Sequence, residues 1–182
     1  LTRIAYFLTP PTGLPPPPAA APLVRSIVNL TQHECDNAVC KHASFVYGAG
    51  HPTLWRHENL NEATHAWLSD EFAAVPLTFF DQIAECVEQG HLVAVEGHRE
   101  LPSDFAAAPP KTDARFAFIT GAKNDCFLPA SQQNSFKHFD AIRPGFHSLR
   151  IFPEYGHLDV FMGQNAVRDT FPTILEELDR QR

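Results

Sequence analysis

The sequence has no apolar run approaching the roughly 18 residues that a membrane-spanning helix needs; its apolar stretches, such as Phe116 to Ile119, are short. It lacks a basic stripe as well. With 14 Lys and Arg against 21 Asp and Glu, a formal net charge of -7, it offers no cluster of cations to neutralise a nucleic-acid backbone. Cysteine is scarce: Cys35, Cys40, Cys86 and Cys126 are too few for a disulfide-scaffolded mini-protein. Cys35 and Cys40 are close enough to bridge in an exported chain and equally suit two free thiols in a cytoplasmic one, which leaves the compartment open for a soluble protein. The single methionine is Met162, and the sequence opens at Leu1 without the basic and apolar segments of a secretory signal. It is therefore expected to be a piece of something longer.

Proline is abundant by contrast, 16 residues against 9 glycines, and many lie before Leu23. Residues 1–32 read as a Pro-rich, extended connector. A second Ala-Pro patch, Ala106 to Pro110, separates two halves of different periodicity. In the first half, Asn59 is placed to cap a helix carrying Leu60, Ala63, Trp67 and Leu68 on one face. Pro76 suits the first turn of another, with Phe79, Phe80, Ile83, Ala84 and Val87 at helical spacing and Gly90 as its stop. In the second half, Arg115 to Thr120 reads as a buried strand ending at Gly121, and His147 to Phe152 as another ending at Pro153. Ser131 to Ile142 reads as a helix between them, and Asn165 to Leu178 as a closing helix interrupted at Pro172. Strand, helix, strand, helix is the grammar of a parallel α/β sheet.

In such folds the reactive side chains sit in loops beyond the carboxyl ends of the strands. Two loops qualify: Gly121 to Asp125, and Glu154 to Asp159. They supply a carboxylate and then an imidazole, His157, the order in which an α/β-hydrolase triad presents its acid and base after the serine. The chemistry requires that pair, because the His takes a proton from a hydroxyl while the carboxylate fixes its tautomer and stabilises the imidazolium. The simpler alternative is that His157 decorates a surface loop.

The stretch from Pro153 to Ala166 (PEYGHLDVFMGQNA), continued by Arg168 to Leu175 (RDTFPTIL), resembles the carboxy-terminal signature of α/β-hydrolases of the acid-lipase type. The likeness is to the bacterial branch often joined to a cholesterol-oxidase-like flavoprotein. Gly121 to Pro129 with Ser131 resembles that branch's acid loop. Cys35 to Cys40, Tyr47-Gly48, Asn59 to Asn61, Thr64-His65 and Glu71-Phe72 resemble its helical cap. The resemblance implies a C-terminal fragment of an α/β-hydrolase fold: residues 33–110 as the cap and 111–182 as the last core strands and helices. It implies His157 as general base. Counting Gly-x-x-Asp from Gly121 puts the usual acid position at Asn124, with Asp125 one residue later. An amide cannot supply the charge that an imidazolium needs, so Asp125 is assigned as the acid. Asp159 is an alternative orienter whose simpler role is to cap the helix that follows.

No Gly-x-Ser-x-Gly occurs in these residues, so the nucleophile is expected in an upstream hydrolase half. The implied activity is hydrolysis of hydrophobic carboxylic esters or sterol-like substrates by a serine esterase or lipase. The alternative is a non-catalytic hydrolase-like module attached to a flavin oxidoreductase. No cofactor is expected. His33, Cys35, Cys40 and His42 offer four zinc-type ligands, but within ten residues they are packed more tightly than common structural sites, so a metal is not expected either. Trp55, Trp67, Phe72, Phe79 and Phe80 read as core, with a lipid-facing lid surface as the alternative.

Overall fold

The computed structural model describes residues 20–47, 54–71, 77–94, 98 and 100–180. The chain divides into two compact units, one comprising Leu1–Ile27 with Ala73–Thr112 and the other Val28–Phe72 with Asp113–Arg182. Among the described residues it is a helix-rich α/β structure, and no helix is long and apolar enough to cross a membrane.

Helix α1, Ala20–Thr31, spans the division between the units. It occupies the end of the stretch expected to be an extended connector. Pro22 lies in its first turn, where no intrahelical N–H is required, and no proline follows before Thr31. The first unit otherwise holds a helix at Leu77–Gln89, which ends as expected: Gly90 takes a φ of +74° beyond its last turn. Gln82 Nε2 then donates to the Val93 carbonyl at 2.9 Å, tying the returning chain to the helix. Pro76 lies outside the described residues.

After the last turn of α1, the second unit holds α2 (Ala38–Tyr47), a 3-10 turn (His57–Asn59) and α3 (Glu62–Glu71), so that the helix at Leu77–Gln89 is α4. The expected helix start at Asn59 moves to Asn61, whose Oδ1 accepts the Thr64 backbone N–H at 2.8 Å. Leu54, Trp55, Leu60 and Leu68 gather with Cys40 and Ala43 into a buried cluster.

Its second part is a strand-helix-strand unit. β1 (Ala117–Gly121) and β2 (Ser148–Phe152) pair in parallel, in register from Ala117 opposite Ser148 to Gly121 opposite Phe152. Helix α5 (Pro129–Ile142) connects them and packs on both strands. The seam is aromatic: the Phe139 ring lies 4.7 Å from Phe116 and 5.7 Å from Phe118, centroid to centroid. Three helices close the unit: α6 (Asp159–Met162), α7 (Ala166–Asp169) and α8 (Phe171–Asp179). The interruption expected near Pro172 falls at Thr170, whose buried hydroxyl donates to the Val160 carbonyl at 2.6 Å and pins the corner. Pro172 then starts α8, where it costs no hydrogen bond. Glu177 on α8 is buried and paired with Arg115, which precedes β1.

Candidate functional site

Both loops named from the sequence leave the carboxyl ends of the paired strands and are joined through the backbone. Ala122 N–H donates to the Phe152 carbonyl at 2.8 Å, prolonging the ladder by one rung, and Lys123 N–H donates to the Tyr155 carbonyl at 2.9 Å. Side chains from the two loops are therefore presented on a shared, rigid base.

From the first loop comes Asn124, 4% exposed. Its Oδ1 accepts the backbone N–H groups of Cys126 at 3.1 Å and Phe127 at 3.0 Å, an Asx turn that leads into α5. These two donors decide which end of the amide faces away from them. Its Nδ2 lies 3.1 Å from His157 Nδ1 and 3.5 Å from Thr120 Oγ1. Asp125 is exposed, and among the described residues no hydrogen bond or ion pair joins it to His157.

From the second loop comes His157, half-buried, its ring 5.1 Å from that of Phe127. Burial holds its pKa below the ordinary histidine value, with the Asp159 carboxylate pulling the other way. Asp159 does not hydrogen-bond the ring. It is fully buried at the start of α6 and accepts the Gly156 N–H at 2.9 and 3.0 Å on its two oxygens. Asn59 Nδ2 adds a donor to Asp159 at 2.6 Å and reaches the Glu154 carbonyl at 2.8 Å. Asp159 thus braces the turn that carries His157; it does not cap the helix that follows, whose N-cap is Leu158 without a side-chain cap, because its carboxylate turns back to Gly156.

An imidazole nitrogen facing an N–H donor must itself be the acceptor. With the Asn124 amide oriented by its two backbone donors, Nδ1 carries the lone pair and the proton resides on Nε2. A general base acting through Nε2 needs the opposite tautomer, the one a carboxylate at position 124 would impose. No serine among the described residues hydrogen-bonds His157; Ser131 Oγ and Ser135 Oγ donate to the Leu128 and Ser131 carbonyls. Nor is Cys126 an activated thiol, because burial pushes it up to about 11.

The remaining candidates divide. Trp55 is in the buried cluster, whereas Trp67 and Phe79 are about half exposed, Phe80 is half-buried and Phe72 lies outside the described residues. All four cysteines are free thiols. His33 Nε2 turns to the Leu30 carbonyl at 2.9 Å and His42 Nδ1 to the Ala38 carbonyl at 2.7 Å. Sequence reasoning missed His57 and His65, which stand beside Cys35 and Cys40 instead, and Asn59, which supports Asp159. A search for ligands beyond the immediate neighbours of a Cys-x4-Cys pair is the signal that finds the two histidines. No protein-family model, curated protein or solved structure matches the chain.

Proposed function

We propose that the chain is the C-terminal portion of a serine esterase or lipase of the α/β-hydrolase type, acting on hydrophobic carboxylic esters. One observation carries this reading: the side chains of positions 124 and 157 meet in two loops beyond the carboxyl ends of adjacent parallel strands. His157 would deprotonate a serine supplied by chain upstream of these residues, and the same ring would then activate the water that releases the acyl group. In this arrangement the two duties of a triad carboxylate are divided. Asn124 positions the ring, which must leave the amide and move its proton from Nε2 to Nδ1 before Nε2 can accept one, and Asp159 supplies nearby negative charge.

A second reading, a non-catalytic hydrolase-like module attached to a flavin-dependent oxidoreductase, is favoured by the Asn124 amide itself. It holds His157 in the tautomer that cannot accept a proton at Nε2. One experiment separates the two. The protein with its upstream sequence is assayed on a p-nitrophenyl ester as wild type, His157→Ala and Asn124→Asp. On the esterase reading, His157→Ala loses about 10²–10⁴-fold in kcat, and Asn124→Asp gains by up to about 10⁴-fold as the productive tautomer is restored. Equal rates for all three, or an upstream sequence without a nucleophile-elbow serine, sink the esterase reading.

A further inference from the structure

The second unit brings together four side chains that the proposed hydrolase chemistry does not use. Cys35 and Cys40 flank the start of α2, His57 lies in the 3-10 turn and His65 on α3, and one potential ligand atom from each lies within 4.8 Å of all the others. Cys40 Sγ and His65 Nε2 are 3.1 Å apart, and the two imidazoles meet edge to face with centroids 5.1 Å apart. From Zn–N near 2.0–2.1 Å and Zn–S near 2.3 Å, a tetrahedral site separates its donors by about 3.3–3.8 Å. The observed spread therefore needs only about an ångström of contraction at its widest.

The surroundings fit a ligand set better than a packed core. Cys40 is 2% exposed. Both ring nitrogens of His57 are buried and make no hydrogen bond, which is costly for an imidazole. Its Nδ1 stands 3.4 Å from the Glu34 carboxylate, the placement of the outer carboxylate that orients a metal-bound histidine. Asn37 aligns the elements: its Oδ1 accepts the Val39 N–H at 2.9 Å while its Nδ2 donates to the His65 carbonyl at 3.1 Å.

We infer that Cys35, Cys40, His57 and His65 form a structural zinc site that fastens α2, the 3-10 turn and α3 to one another. Binding is balanced: two thiols release their protons to solvent, the two thiolates cancel the charge of Zn²⁺, and two neutral imidazoles complete the tetrahedron. Four protein donors leave no open position for a substrate or water, so the ion braces the fold and performs no chemistry. The proposal is independent of any role for His157. It also reaches that residue's loop, because the Leu54 to Asn59 segment that holds His57 accepts the Leu158 N–H at Leu54 and the Gln164 N–H at Asn59, both at 2.6 Å.

The test uses the whole chain with its thiols reduced. Elemental analysis after dialysis should give one zinc per chain, and the unfolding temperature should rise with free Zn²⁺ as mass action requires. Replacing zinc by Co²⁺ should give a thiolate-to-cobalt charge-transfer band together with tetrahedral d–d absorption. Cys35→His keeps a donor in place and should halve the charge-transfer band, whereas Cys86→Ser and His42→Ala should leave it unchanged. A reduced, folded chain that retains no zinc and shows no cobalt-thiolate band overturns the proposal. So does a band of full intensity in Cys35→His.

Discussion

The backbone of Gly121 lies so close to that of Tyr155 that a Cβ added to Gly121 would stand 2.0 Å from the Tyr155 carbonyl oxygen and 2.2 Å from that of Gly156. Both obstacles are backbone atoms of the loop carrying His157. Gly121→Ala must therefore push the two loops apart and break the Lys123 to Tyr155 hydrogen bond. Overpacking of this kind costs about 1–3 kcal/mol, and thermal denaturation should show Tm falling by roughly 2–12 °C. An unchanged Tm would mean that the loops yield without strain.

Burial lowers the pKa of His157 from the model-peptide value of 6.5, so the unfolded chain binds the extra proton first as pH falls. The sign follows from linkage: the contribution of neutral His157 is complete above about pH 6.5 and is lost as pH drops from there through the folded pKa. His157→Asn should flatten this acid limb in denaturant titrations, and Asn124→Asp should raise the His157 pKa read by NMR. A His157 that titrates above the free value in the unmodified chain would contradict the prediction.

Glu177 is 4% exposed and paired with Arg115, with Arg150 on β2 at 3.8 Å. Glu177→Ala takes the carboxylate from the half-buried Arg115 and leaves its Nε on the Phe146 carbonyl at 2.7 Å. A broken buried pair costs about 3–5 kcal/mol, which chemical denaturation should detect as a lower midpoint at unchanged slope. A loss under 1 kcal/mol, the value of an exposed pair, would show that water reaches the site.

The strands were legible because their ends are chemically marked. Arg115 to Thr120 runs into a glycine that the neighbouring backbone requires, and His147 to Phe152 runs into Pro153. Gly90 and Pro172 marked helix limits for equally local reasons. Asn59 and Asn61 could not be ranked as caps from sequence, since both precede the same helical pattern. What separates them is Asp159, 100 positions away, which draws Asn59 off. At the site, spacing from Gly121 pointed to Asn124 and the need for charge pointed to Asp125. The Asx turn places Asn124 at the ring and leaves Asp125 in solvent, and that choice depends on the backbone N–H groups of residues 126 and 127. The zinc-type cluster escaped notice for a related reason: His33 and His42 are neighbours of Cys35 and Cys40 in sequence, but His57 and His65 are their neighbours in space.

The hydrogen bonds between Asn59 and the Asp159 region also set a timetable for the nascent chain. At synthesis rates of about 5–20 residues per second, the roughly 100 positions between them take about 5–20 s to make. Throughout that interval Leu54 to Asn59 has left the ribosome's active centre without the partners that hold it in the finished fold. Cys35, Cys40 and His57 are made before the wait begins and His65 follows near its start, so an ion bound there would keep this segment in shape until the His157 loop arrives.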